Sequence, residues 1–174
     1  MDRKVVLYIA TSLDGYIATE NDSLEWLFKT DGEGDNGYSE FTKTIDTIIL
    51  GRRTYDWIMN MELGKFPYQN KKCYVFSNTI FESNENVEFI SEDTLNFLNR
   101  IKKTSGKNIW IVGGGELLHH FIKEKLIDEY IITVAPILIG KGIPLFKRID
   151  VEVDLELKSI RRFNQFVELH YKSK

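Results

Sequence analysis

The chain has 174 residues, 43% of them hydrophobic and 28% charged, with a formal net charge of −3. That size and balance suit one soluble domain with a full apolar core, and without a basic excess there is no electrostatic case for a nucleic-acid or anionic-membrane partner. No apolar run approaches the ~18 residues of a membrane span, the N-terminal run is too short for a secretory signal, and the single cysteine, Cys73, excludes an internal disulfide, which fits a reducing cytoplasm.

In chain order, residues 5–10 form a continuous apolar, β-forming run, the pattern of a strand buried on both faces. Asp14-Gly15 is a turn signal, followed by Tyr16-Ile17-Ala18 and a polar loop. After Trp26, residues 31–37 (DGEGDNG) read as an acidic, glycine-rich loop, and a short helix is expected over about 38–45. Residues 47–50 read as a buried strand broken by Gly51, and residues 52–59 as the start of a helix. Further strands are expected at 72–76, around a buried Cys73, and at 87–90. Ser91 is placed to cap a helix to about Lys103, with Leu95, Leu98 and Ile101 on its buried side. Strand 109–112, helix 116–125, strand 130–135 and a Gly- and Pro-containing loop follow. Residues 155–162 and 166–171 close the chain as an antiparallel hairpin. This alternation makes the fold α/β with a largely parallel central sheet, and ligands in such sheets bind beyond the carboxyl ends of the strands.

Two strand-to-helix junctions carry candidate chemistry. In TIILGRRTYDWI a strand ends at Gly51 and a helix opens with Arg52, Arg53 and Thr54. A helix N-terminus presents unpaired N–H groups and partial positive charge, and guanidinium adds a preference for phosphate. The competing reading is a turn glycine followed by a surface basic pair. In IWIVGGGELLHHF, four apolar residues run into Gly113, Gly114 and Gly115, and a helix follows from Glu116. One glycine suffices for a turn with unusual dihedrals, so three favour a backbone closely approached by a ligand. Leu118 stands where the third glycine of the G-x-G-x-x-G fingerprint belongs, which sets this junction apart from a Rossmann site. Gly140-Lys141-Gly142 reads either as a cationic lid or as an ordinary turn. His119, His120 and His170 lack ligand spacing, so no metal is expected.

Taken in order, ATSLDGYIA, LGRRTYDW, VFSN, IWIVGGGELLHHF and YIITVAPILIGKGIPLF resemble the dihydrofolate reductase-like superfamily across nearly the whole chain. Within it, SLDGYIA and the last motif are similar to stand-alone proteins grouped with the C-terminal reductase domain of the riboflavin-pathway deaminase-reductase, RibD. The resemblance implies a single three-layer domain over residues 1–174, a mostly parallel mixed sheet flanked by helices, NADPH as hydride donor, and a cytoplasmic homodimer. It puts Ala10, Ile17 and Ala18 beside the nicotinamide and its ribose. Gly51, Arg52, Arg53 and Thr54 would hold the diphosphate and the adenosine 2′-phosphate, with Ser77 and Asn78 at the adenosine end. Gly113, Gly114, Gly115 and Glu116 would pack on the diphosphate and nicotinamide, with a cis peptide between Gly113 and Gly114. Two arginines at one site argue for NADPH over NADH.

The chain also departs from its relatives. Riboflavin-pathway reductase domains carry an Asp-Asp-Pro segment and a downstream arginine where this chain reads Arg52-Arg53-Thr54-Tyr55-Asp56. No deaminase segment precedes it either, and both facts point away from a direct step in riboflavin synthesis. Dihydrofolate reductase places a proton-donating acid shortly after a tryptophan matched here by Trp26. Counting forward from Trp26 reaches Asp31, and counting back from Gly51 reaches Asp35; both also read as solvated loop acids. Lys71 stands nearest the arginine that clamps folate, and a lysine cannot make the paired fork. Asp14 reads as a substrate-side carboxylate or as Asp-Gly turn chemistry, and Thr133 as a hydrogen-bonding partner for a substrate ring. The expected function is an NADPH-dependent reductase of a small heterocycle, related to 5-amino-6-(5-phosphoribosylamino)uracil reductase, with substrate between Trp26, the acidic loop and the nicotinamide. The alternatives are dihydrofolate reductase activity and an NADPH-binding sensor or scaffold without turnover.

Overall fold

The computed structural model describes residues 3–62, 64–68, 70–79 and 82–174. The elements run β1 (Val5–Ser12), β2 (Tyr16–Ala18), α1 (Glu25–Phe28), α2 (Tyr38–Thr42), β3 (Ile45–Gly51), α3 (Arg52–Met61), β4 (Lys72–Phe76) and β5 (Val87–Ile90). They continue with α4 (Thr94–Lys102), β6 (Asn108–Gly113), α5 (Gly115–Lys123), β7 (Glu129–Ala135), β8 (Ile143–Pro144), β9 (Leu155–Phe163) and β10 (Phe166–Ser173). Eight strands form one sheet in the order β5-β4-β3-β6-β1-β7-β10-β9. All neighbours from β5 to β7 are parallel, and β10 and β9 extend the sheet antiparallel. This is the expected α/β architecture with its C-terminal hairpin at one edge.

The central strands β1, β3 and β6 read as largely apolar runs because both faces of the sheet are covered there. Successive side chains alternate between faces. Val5, Leu7, Ile49, Ile109 and Ile111 meet Phe97, Leu98 and Ile101 of α4 and Leu118, Phe121 and Ile122 of α5 on one side. Val6, Ile48, Leu50, Cys73, Val75 and Trp110 meet Phe41 of α2 and Ile58 of α3 on the other. Each fully buried Phe or Leu in these layers contributes about 1.5–3 kcal/mol.

Two expected helix boundaries move. The helix after the acidic loop ends at Thr42, because Ile45 is fully buried as the first residue of β3. The helix expected to be capped by Ser91 is capped by Asp93, whose side chain accepts the Asn96 N–H at 3.0 Å. Its buried face is then Thr94, Phe97, Leu98 and Ile101, and Leu95 turns out to solvent.

The sheet is fastened at its amino end and parts at its carboxyl end. Arg3, 6% exposed, donates to the carbonyls of Lys107 (2.7 Å) and Ile101 (3.2 Å), to the Thr104 hydroxyl and to Asp46, so the entries to β1, β3 and β6 are tied to the end of α4. β1 and β6 pair only from Val5↔Ile109 to Leu7↔Ile111, although both strands continue. Beyond that row the Trp110 indole N–H takes the Tyr8 carbonyl at 3.1 Å in place of a ladder bond. β1 then follows β7 as far as Ser12↔Ala135, and β6 follows β3 to Leu50↔Gly113. A cleft therefore opens between Ala10 and Gly113, at the carboxyl ends where open α/β sheets bind ligands.

Candidate functional site

The two glycine junctions flank one side of this cleft and touch each other. A Cβ built on Gly114 would lie 3.0 Å from the Gly51 Cα and 3.5 Å from the Thr54 hydroxyl, and one built on Gly51 would lie 3.2 Å from the Gly114 Cα. Close backbone contact within the protein thus accounts for Gly51 and Gly114. Gly113 and Gly114 also have φ of 138° and 108°, a region side-chain-bearing residues rarely adopt. The peptide joining them is trans: the described residues contain no cis bond, contrary to the expectation, and the positive φ angles make the bend instead. Gly115 is different. It has an ordinary φ, and a Cβ there would meet only the end of Lys147 at 3.6 Å. Among the described residues no close contact demands a glycine at that position, so Gly115 is the member of the triplet without an internal reason for lacking a side chain.

The helix N-termini that follow carry the charges. α3 opens at Arg52, whose Nε donates to both oxygens of Asp56 at 2.8 Å. Arg53 pairs with Asp22 at 2.9 Å, with its side chain 78% exposed. α5 opens at Gly115, and Glu116 pairs with Lys147 from the loop after β8. The hydrogen bond and charge of Lys147 hold the Glu116 carboxyl below its usual range. Lys147, a cation beside the glycine triplet, was not singled out in the sequence; it reaches α5 only through the fold of a distant loop. Ser77 and Asn78 follow β4 directly, beside Gly51, which pairs with Phe76. Gly51, Arg52, Arg53, Thr54, Ser77, Asn78 and the 113–116 turn are thereby gathered at one end of the sheet.

Ala10, Ile17 and Ala18 border the opposite wall. β2 leaves the β1 turn and pairs with β8. The Gly140-Lys141-Gly142 segment is an anchored turn rather than a free lid. Asp14 accepts the Gly140 N–H at 2.8 Å and the Ile139 N–H at 3.2 Å, Lys141 pairs with Glu20, and a side chain at Gly142 would collide with the Ala18 carbonyl. Asp14 is thus engaged in turn chemistry. Its carboxyl is held below the usual range by the Ser12 hydroxyl and these backbone N–H groups.

The two candidate proton donors are both engaged in local hydrogen bonds. Asp35 accepts the Gly37 N–H at 3.1 Å and the Ser39 N–H at 2.8 Å, which caps the start of α2 and, through the Ser39 bonds first, lowers its pKa. Asp31 is exposed and uses its carbonyl to accept the Gln165 N–H at 3.1 Å. Trp26 is 5% exposed and packs with Ala135 and Phe166, with Phe163 against the same cluster. Thr133 is buried between Ala10 and Glu168 in neighbouring strands. Glu168 was missed in the sequence, where a polar residue in FVELHY reads as the solvent side of a hairpin; it is 2% exposed and bound to Arg161 at 2.7 Å. A pocket of about 290 Å³ lies further along the same face, lined by Tyr38, Tyr68, Trp110 and Lys71. Lys71 is spent there: its Nζ donates to the carbonyls of Thr42 (2.7 Å) and Ile45 (2.8 Å). Among the described residues no cluster of His, Cys, Asp or Glu could hold a metal ion.

Residues 3–169 match the family model of the RibD C-terminal domain. The chain belongs to that family. Similar proteins include Bacillus subtilis (strain 168) YwjB, 52% identical over 172 residues that cover 98% of each chain. A crystal structure of a Shewanella sp. PV-4 protein, assigned by its name to riboflavin biosynthesis, superposes with a TM-score of 0.86 at 29% identity, covering 98% of this chain and 99% of that one. The deaminase/5-amino-6-(5-phosphoribosylamino)uracil reductase of Thermotoga maritima gives a TM-score of 0.73 at 15% identity, over 99% of this chain and 57% of that one. Enterococcus faecalis dihydrofolate reductase complexed with NADP(H) gives 0.66 at 17% identity, covering 100% and 99%. The last two show a shared fold, and the dihydrofolate reductase-like, RibD C-terminal assignment follows from the family match. That family is one of reductases, related to the riboflavin-pathway reductase. Among the described residues no helix is long and apolar enough to cross a membrane.

Proposed function

We propose that this RibD C-terminal protein is an NADPH-dependent reductase that delivers hydride to a small heterocyclic substrate. The observation that carries the reading is the parted β1–β6 pair, with the N-termini of α3 and α5 brought side by side at its mouth by the Gly51–Gly114 contact. The residues fit the cofactor. The helix starts of α3 and α5 suit a diphosphate, Gly115 puts no side chain of its own in the way, and exposed Arg53 can exchange Asp22 for a phosphate because a surface ion pair is weak. Bound NADPH supplies the hydride. The chain's part is to orient and enclose. Ala10 and Gly113 would form the two walls of the nicotinamide slot, α3 and α5 would fix the diphosphate, and Thr133 would place the substrate ring opposite.

The geometry supports a heterocycle smaller than folate. The Lys71 ammonium nearest the 290 Å³ pocket is already bonded to two carbonyls and is not available to a tail carboxylate. The test is a titration of NADPH and NADH by fluorescence, followed by NADPH oxidation assays with pterins, aminopyrimidine ribosides and quinones. Tighter NADPH than NADH and turnover on an aminopyrimidine are expected. Equal affinities would overturn the phosphate role of the arginines, and tight NADPH binding with no turnover would favour the sensor reading.

A further inference from the structure

We propose that Glu168 of β10 is the substrate-binding carboxylate of this site, and that with Trp26 it recognises the amide edge of a cyclic amide or ureide ring. The inference rests on the reductase reading for placing a substrate on this face of the sheet. Glu168 pairs with Thr133 and Thr133 with Ala10, so the three form one row across β10, β7 and β1 at the parted end. Its Oε1 accepts the Arg161 Nε at 2.7 Å, whereas Oε2 is buried with no partner among the described residues. Arg161 does not fork onto Glu168; its Nη1 goes to Glu40 at 2.7 Å. An ion pair kept for stability gains from using both carboxylate oxygens, and a buried open acceptor is costly.

A second orphan lies on the same face. Trp26 Nε1 is buried without a partner among the described residues, and its ring packs on Ala135 and Phe166, each two residues along its strand from Thr133 and Glu168. An unpaired acceptor and an unpaired donor on the same sheet face describe their ligand: a ring N–H for Glu168 Oε2, and an adjacent carbonyl for the Trp26 N–H. Neither loop acid offers the same. Both oxygens of Asp35 already accept backbone N–H groups, and Asp31 is exposed. The 35–37 turn closes the outer side, with Gly37 against Arg161 and Phe163, so the ring enters from the cleft beside Ala10.

The test measures binding of 5-aminouracil by calorimetry, with and without saturating NADPH. The control is 1,3-dimethyluracil, which has no ring N–H. Glu168→Gln keeps an acceptor for Arg161 and should leave NADPH affinity within about twofold while weakening 5-aminouracil by tenfold or more, as loss of a charge-assisted hydrogen bond requires. Trp26→Phe keeps the packing and should weaken it about three- to tenfold. Asp31→Asn and Asp35→Asn should bind as wild type does, and the dimethyl control should not bind. Unchanged binding in Glu168→Gln and Trp26→Phe, or no 5-aminouracil binding by the wild-type protein, overturns the inference. If NADPH binds but the probe ignores Glu168, the inference fails and the reductase reading stands; if the probe depends on Glu168 but NADPH does not bind, the reductase reading fails.

Discussion

Gly51 and Gly114 pack Cα against backbone, so that the end of β3 and the start of α5 can approach only because neither carries a side chain. Gly115, the next residue, is under no such constraint. Gly114→Ala should therefore cost about 1–3 kcal/mol of stability through its positive φ and the contact with Gly51. Gly115→Ala should leave the melting temperature nearly unchanged and weaken NADPH about tenfold or more. Thermal unfolding with and without NADPH separates the two; a Gly115→Ala protein that binds NADPH normally would remove the ligand from this turn.

Among the described residues Arg53 pairs with Asp22, and that pair is exposed. Arg53→Gln should change stability by less than about 1 kcal/mol. If the guanidinium meets the 2′-phosphate, the same substitution lowers NADPH affinity about tenfold and leaves NADH affinity as it was. Loss of both affinities in parallel would instead assign Arg53 to the diphosphate.

Asp35 should behave as a helix cap. Asp35→Ala removes acceptors from the Gly37 and Ser39 N–H groups and should cost about 1 kcal/mol. Turnover per folded molecule should be retained; its abolition in a protein that still unfolds cooperatively would restore Asp35 as the proton donor.

Alkaline pH should unfold the protein earlier than its surface charge suggests. Burial pushes the Cys73 thiol up to about 12, and the phenols of Tyr8 and Tyr130 also to about 12, with the Glu168 charge adding to the burial effect at Tyr8. These folded values lie above the unfolded ones of about 9 to 10. The neutral forms therefore stabilise the fold fully below about pH 9, and that stabilisation is lost as pH rises towards 12. Melting temperature should fall steeply across that window, and Cys73 should resist alkylation in the native state at pH 8.

The homodimer expected from the resemblance has a candidate seam in edge strand β9, where Leu157 and Ile160 are 48% and 61% exposed. We propose that it buries these side chains. Light scattering should give twice the chain mass, and Ile160→Lys should give the monomer.

Buried strands were legible in the sequence because continuous apolar runs such as residues 5–10 admit few other fates, and residues 72–76 and 87–90 were read with the bounds they have. The glycine junctions were legible for the same local reason. What escaped was set by long-range pairing. Asp93 outcompeted Ser91 as a cap by two residues, and Ile45 joined a strand because its neighbour across the sheet is Asn108. Glu168 looked like a solvent-side residue until β7 and α2 closed over it. Lys147 and Arg161 acquire their partners across 31 and 121 residues of chain, distances at which no pattern in a single sequence signals contact.

The Arg3 knot makes the sheet a wishbone, joined at the amino ends of β1, β3 and β6 and split above Leu7 and Ile111. A ligand wedged between the prongs loads the stem without breaking a ladder bond there. We propose that ligand entry is elastic, the two halves flexing about the knot; amide exchange at Leu7 should then stay slow whether the cleft is filled or empty.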